Sequence, residues 1–218
     1  FRRVLFRSRC FSIEYAMWFD VLIAGFSDLG LPIPLGGTSV FFRRHALESL
    51  GGWDAHNVTE DADLGMRLVR RGWRCGVSRS TTFEEANSRL LPWIRQRSRW
   101  LKGYIITWLV HMRRPLALWR EMGPAGFIGF QTVFLGAIVA YLGLPLFWAF
   151  WATALTGTGP QWLAATPLWL LWSVAIVQIG GWLAMLLAAV IATRRGGRSW
   201  LPPWGPSLPL YSPIGAAA

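Results

Sequence analysis

VTEDADLGMRLVRRGWRCGV, residues 58–77, contains the signals for a helix and then for a short strand. Thr59 suits an N-cap. Glu60 and Asp61 fall in the first turn, where the helix dipole favours negative charge, and Gly72 is a stop. Trp73–Val77 (WRCGV) reads as a strand returning into a sheet. Upstream, LPIPLGG (31–37) is a Pro/Gly turn, TSVFF (38–42) reads as a short buried strand, and Arg43–Leu50 as a helix stopped by Gly51 and Gly52. Glu14–Leu29 is apolar but short of a full span and carries Asp20 and Asp28, which predicts a helix lying against the domain or the membrane surface. Downstream, Pro92 opens a helix that carries RQRSRW (95–100) to about Lys102.

The rest of the chain is different in kind. Of its 218 residues, 53% are hydrophobic and 15% charged, too apolar for an ordinary soluble protein. Every Asp and Glu lies at or before Glu121, and no charged residue occurs between Met122 and Thr193. The net charge of +11 therefore sits on the N-terminal part and on Arg194, Arg195 and Arg198. Residues 103–122 mix aromatic and basic side chains (Tyr104, Trp108, His111, Arg113, Arg114, Trp119, Arg120), a pattern that predicts an amphipathic helix in the headgroup region. Residues 127–150 and 168–192 predict two transmembrane helices, with Pro145 as a kink point and the uncharged 156–166 between them. Positive residues flank the outer ends of this hairpin, so the positive-inside rule puts the motif-bearing domain and the tail in the cytoplasm.

The basic charge is interleaved with acids, and no nucleic-acid-binding motif is present. Nucleic acid is therefore not an expected partner; nucleotide phosphates and lipid headgroups are. Cys10 and Cys75 make no disulfide framework, no zinc spacing exists, and His45, His56 and His111 are too scattered to suggest a metal site. Phe1–Ser8 (FRRVLFRS) looks like an adapter-derived tail, and 194–218 like a truncated cytoplasmic tail. The expectation is a piece of a longer chain, in which 9–102 form part of a domain.

Two motifs carry chemistry. Asp61, at a helix start that should favour its ionised form, can accept a proton from a hydroxyl near neutral pH. Any helix start also prefers Thr followed by acids, so the capping explanation stands beside the catalytic one. Asp61-Ala62-Asp63 spells Asp-x-Asp, but i and i+2 on a helix diverge, so no metal ligand is assigned here. Gln96, Arg99 and Trp100 share one helical face. Trp100 offers a platform for a sugar ring, while Arg99 and Gln96 can hold a diphosphate or an acceptor. The competing explanation is a basic interfacial helix with an anchoring Trp. Arg95 and Arg97 are expected to point elsewhere, to solvent or lipid. Gly36 and Gly37 allow close backbone approach, and Glu84 and Glu85 are candidates to bond a sugar or orient Arg99. A carboxylate base, an aromatic platform and a fixed positive charge suit sugar transfer from a nucleotide diphosphate.

Taken in order, GGTSVFFRR, GGWD, VTEDADLGMRL, EEAN and RQRSRW, followed by a membrane hairpin, resemble the membrane-bound processive glycosyltransferases of family 2, the group of cellulose synthase and hyaluronan synthase. The resemblance covers roughly residues 14–192. It implies the C-terminal half of a nucleotide-sugar-binding α/β domain of the GT-A type, joined to an interfacial helix and transmembrane helices in a bacterial inner membrane. It implies Asp61 as general base, and substrate contacts from Thr59, Glu60, Gly37, Thr38, Gln96, Arg99 and Trp100. The implied reaction is inverting, moving a sugar from a nucleotide diphosphate, a UDP-sugar by resemblance, to a growing glycan or lipid-linked acceptor. The family's Mg²⁺ or Mn²⁺ site belongs to an N-terminal half that these residues do not contain, so the chain alone is expected to be inactive. Asn87 stands where the family often has Pro. The rival classes are a non-catalytic membrane anchor or export partner that keeps the fold, and a transporter-like protein. The charge-free hairpin speaks against the transporter, although Gln131 and Gln178 lie within the spans.

Overall fold

A computed structural model of the chain describes residues 5–78, 80–82, 84, 89–158, 166–197, 201–208 and 211. The described elements are helical: α1 (Leu5–Ala16), a π-helical stretch (Met17–Ile23), α2 (Ala24–Asp28), α3 (Arg44–Ser49), α4 (Glu60–Arg70), α5 (Leu90–His111), α6 (Pro115–Thr156), α7 (Leu168–Arg195) and a 3-10 turn (Pro202–Ser207). They fall into two compact units, Trp18–Ala140 and the combination of Phe1–Met17 with Tyr141–Ala217.

Neither expected strand forms, and there is no strand among the described residues. A strand exists only through a ladder partner, and a short apolar run does not by its pattern reveal whether one is present. Residues 38–42 and 73–77 are non-helical chain without a ladder. The Trp73 amide bonds back to the Leu68 carbonyl at 3.0 Å. Phe41, expected to be buried in a strand, is 92% exposed.

The expected interfacial helix over 103–122 is also divided differently. Its first part belongs to α5, which runs on to His111. Met112–Arg114 turn, and α6 starts at Pro115, whose ring disfavours helix in the residue before it. Gly123 then interrupts α6 with φ 72° and ψ 172°, a backbone that a side chain would resist. Three helical stretches are long and apolar enough to cross a membrane: Ser8–Asp28, Pro115–Thr156 and Leu168–Arg195. The first is the segment expected to lie on a surface. It qualifies because helix continues upstream of Glu14, into the residues set aside as a tail. Pro145 leaves α6 uninterrupted.

In the first unit α4 is buried on two sides. Ala62 and Met66 pack with Leu118, Phe130, Val133 and Phe134. Leu64 and Leu68 pack with Ala46, flanked by Leu35, Leu50 and Trp73. Each pair is spaced i, i+4 and so forms a stripe of its own. A buried Leu or Met side chain contributes roughly 1.5–3 kcal/mol, so α4 is anchored from both sides. In the second unit the 3-10 turn packs against α1 and α7. Arg9 lies over the Trp204 ring at 4.3 Å, the Cys10 sulfur is 3.6 Å from the Ser207 hydroxyl, and Gly205 rests against Leu186 and Ala189.

Candidate active site

The Pro/Gly segment positions the site. Pro32, Ile33 and Pro34 are buried, and glycines of α4 and α6 pack against Ile33 and Pro32. A Cβ on Gly65 of α4 would collide with the Ile33 carbonyl and come within 3.1 Å of Leu35. A Cβ on Gly129 of α6 would lie 3.4 Å from Pro32. The segment is therefore clamped between α4, against its backbone at Ile33, and α6, against the Pro32 ring and Leu31 side chain, and Gly37 leaves the clamp at the N-terminus of α4. There a Cβ on Gly37 would stand 3.2 Å from Asp61 Oδ2. Gly37 and Thr38 are exposed, so the half-buried carboxylate borders an open stretch of backbone.

Asp61 Oδ1 accepts the Ala62 amide at 2.8 Å. Burial pushes its carboxyl above the ordinary range; the Ala62 amide offsets part of the rise and the neighbouring Glu60 adds to it. The helix start was expected to favour the ionised form, but at this position desolvation outweighs the backbone amides. The result is a stronger base once ionised.

Asp63 faces away. Its Oδ1 meets His111 Nε2 at 2.9 Å and its Oδ2 accepts Arg67 Nε at 2.8 Å. Burial raises this carboxyl, but the hydrogen bonds from His111 and Arg67 and the Arg67 charge outweigh that and hold it below the usual range. Arg67 also donates to the Leu50 and Gly52 carbonyls, and Arg70 bridges His111 Nδ1 (3.0 Å) and Glu121 (2.5 Å). Because Arg70 can only donate, the network assigns His111 the Nε2–H tautomer. The two carboxylates of Asp-x-Asp thus have separate partners, and no metal-binding cluster of three His, Cys, Asp or Glu occurs among the described residues.

Thr59 holds the N-cap position without capping. Its hydroxyl bonds Asn57 Oδ1 (3.3 Å) and its side chain is turned into α5, where a Cβ on Gly103 would overlap it. Asn57 Nδ2 donates to Thr107 at 2.8 Å. Trp93, Arg97, Gly103, Thr107 and His111 form the buried stripe of α5. Arg97 was expected in solvent or lipid, but it is buried, its guanidinium 5.2 Å from the Trp93 ring and 4.9 Å from the Trp100 ring. Arg99 is exposed, while Gln96 and Trp100 are half-buried. The stripe passes through 97, and a residue two positions on points to the far side. Asn57, Gly103 and Thr107 were missed. Their signal was a mid-helix glycine with Thr and His at the next two i+4 positions.

The sequence profile described as glycosyl transferase family group 2 matches residues 2–193. The chain belongs to this family. It is 34% identical over 138 residues to a UDP-forming cellulose synthase catalytic subunit of Komagataeibacter sucrofermentans, covering 61% of this chain and 17% of that one. It is 29% identical over 118 residues to a beta-monoglucosyldiacylglycerol synthase of Synechocystis, covering 51% and 24%. The family 2 chain therefore spans less than a quarter of the length of these relatives. No solved structure matches it.

The other sequence candidates of this family 2 chain have surroundings of their own or lie outside the described residues. Glu84 is exposed; Glu85 and Asn87 lie outside the described residues. His45 edges onto Trp73 at 5.1 Å, and the His56 amide donates to Asp54. Gln131, considered for a glycan path, accepts Trp108 Nε1 at 2.7 Å and donates to the Met112 sulfur at 3.1 Å, which ties α6 to α5.

Proposed function

We propose that this chain is the acceptor-side and membrane portion of an inverting glycosyltransferase. It moves a sugar from a nucleotide diphosphate, a UDP-sugar, to a growing polysaccharide or glycolipid at the cytoplasmic face of a bacterial inner membrane. The observation that carries the reading is the Asp61 carboxylate, half-buried, raised in basicity and set against the open backbone of Gly37. In the proposed step an acceptor hydroxyl enters beside Gly37 and Thr38, Asp61 takes its proton, and the oxygen attacks the anomeric carbon. The bond to the diphosphate breaks as the new bond forms, with inversion, and the nucleotide diphosphate leaves. Trp100, its ring positioned over Arg97, stacks on the acceptor sugar; Gln96 and Arg99 bind acceptor or diphosphate. Glu60 borders Asp61 on the substrate side, and Thr59 sets the α4 start against α5.

Neutralising the leaving diphosphate is chemistry that a divalent ion, Mg²⁺ or Mn²⁺, supplies in this reaction class. Asp61 and Asp63 do not fit one, so its ligands are assigned to an α/β part outside these 218 residues. The isolated chain is then inactive. The positive-inside pattern supports the topology: Arg113, Arg114, Arg194 and Arg195 flank the α6–α7 hairpin, and 157–167 carry no charge. The relatives' printed names, cellulose synthase and beta-monoglucosyldiacylglycerol synthase, support both a polysaccharide and a glycolipid acceptor.

The test is Asp61→Asn in the complete protein, assayed for sugar transfer. Loss of general-base catalysis is expected to slow transfer by roughly 10²–10⁴-fold. An unchanged rate overturns the base assignment and favours a non-catalytic anchoring or export role.

A further inference from the structure

Away from Asp61, two clefts meet at Arg70. One, of about 540 Å³, is lined by Leu50, Arg67, Arg70, Arg71 and Glu121. The other, of about 190 Å³, is lined by Arg70, Val110, His111, Arg113 and Arg114. They lie where the C-terminal turn of α4 meets the α5–α6 corner, one residue before α6 starts.

The charge balance can be counted. Arg67 is neutralised by Asp63 at 2.8 Å and Arg70 by Glu121 at 2.5 Å. Arg71, Arg113 and Arg114 are exposed, with no carboxylate within ion-pair distance among the described residues. Two helix C-termini, of α4 and α5, contribute roughly half a negative charge each. An excess of about two positive charges remains on the cleft wall. Arg67 and Arg70, held by carbonyl and carboxylate partners, give that wall a fixed shape.

The surroundings decide what kind of anion fits. Val110 lines the smaller cleft and is 40% exposed; nearby in sequence, Leu109, Leu116 and Trp119 are 53%, 73% and 41% exposed. Apolar and Trp side chains beside unpaired arginines, at the foot of a helix long enough to cross a bilayer, match an acyl-chain boundary rather than open water. We propose that this corner is a binding site for the phosphate headgroup of an anionic membrane lipid. Arg71, Arg113 and Arg114 hold the phosphate, and Val110, Leu116 and Trp119 lie along the first methylenes of its chains. The site rests on the reading that α6 crosses the membrane. It fixes the depth of the α4–α5 corner, and through α4 the height of Asp61, relative to the bilayer.

The experiment is native mass spectrometry of the whole 218-residue chain in detergent, titrated separately with dioleoyl phosphatidylglycerol, dioleoyl phosphatidylcholine and inorganic phosphate. Phosphatidylglycerol is expected to bind roughly tenfold or more tightly than phosphatidylcholine, given about a fivefold contribution per basic residue near a headgroup. The triple variant Arg71→Gln, Arg113→Gln, Arg114→Gln is expected to lose that preference. Arg113→Gln alone should lose part of it, and it serves as the test if the triple variant does not fold. Arg43→Gln, Arg74→Gln, Arg89→Gln removes the same charge elsewhere and is expected to keep the preference. Equal binding of the two lipids, equal loss in both triple variants, or a preference untouched by Arg113→Gln overturns the site. Displacement of the lipid by equimolar inorganic phosphate overturns the lipid as its ligand. Alkaline carbonate extraction of membranes separates the premises: release of the wild-type chain sinks the membrane reading, whereas retention without headgroup preference sinks only the site.

Discussion

Gly103→Ala probes the close contact between α5 and the start of α4. The new Cβ would overlap Thr59 Oγ1 and Cγ2 and lie 2.8 Å from Thr59 Cβ. Two opposing effects set the outcome. Alanine in a helix interior gains about 1 kcal/mol over glycine, whereas overpacking a tight contact costs about 1–3 kcal/mol. The net expectation is a loss of up to about 2 kcal/mol, or a fall in Tm of up to roughly 8 °C for a chain of this size. Thr59→Ala alone removes a hydroxyl whose bond to Asn57 is long at 3.3 Å and which does not cap α4, so its cost is about 1 kcal/mol. Combined, the two substitutions relieve each other, because the two atoms that overlap most are gone. A double-mutant cycle by thermal unfolding in detergent is expected to show coupling of about 1–2 kcal/mol. Additive effects would mean that α5 does not rest on Thr59, and the account of how Asp61 is positioned would fail with it.

Asp63→Ala leaves Arg67 and the buried His111 without their carboxylate and is expected to cost about 3–5 kcal/mol; a denaturation midpoint within error of wild type would contradict the network. Because the folded value of Asp63 is depressed, its stabilisation is complete above the ordinary aspartate range and is lost as pH falls through the folded value, which a melting series in acid should show at its low end. Asp61 has the opposite sign: kcat/KM of the complete protein is expected to fall as pH drops through a value above 3.8, and a limb at or below that value would remove the raised carboxylate from the mechanism. Arg97→Lys keeps the charge but loses the planar stack between Trp93 and Trp100; a Tm loss similar to that of Arg97→Gln is expected, and full rescue by Lys would refute the stacking role.

Much of the organisation is legible in local pattern. The start of α4 at Glu60 follows from the acids at its N-terminus, and its stop from Gly72. The membrane-length helices α6 and α7 follow from long charge-free runs, and their basic ends from Arg113, Arg114, Arg194 and Arg195. The order of motifs carries the family. The strands were misjudged because Thr38–Phe42 and Trp73–Val77 have the composition of strands, and composition does not supply a ladder partner. The third membrane-length helix was missed because the count began at Glu14, whereas helix runs on from Leu5.

Helix period, capping and hydropathy are properties of neighbouring residues, so they could be read along the chain. Which side chain of a helix faces inward is set by residues that are distant in sequence. Asp63 is claimed by His111, 48 positions away, and Asn57 by Thr107, 50 away. With the inward face of α5 fixed in this way, Arg97 is buried and Arg99 stays outside. The same contacts also separate Asp61 from Asp63, two identical side chains two residues apart. One carboxyl is half-buried against a glycine and raised; the other is more deeply buried but paired with His111 and Arg67 and lowered. Burial penalises a charge wherever it occurs, and only the tertiary neighbours determine whether anything offsets the cost.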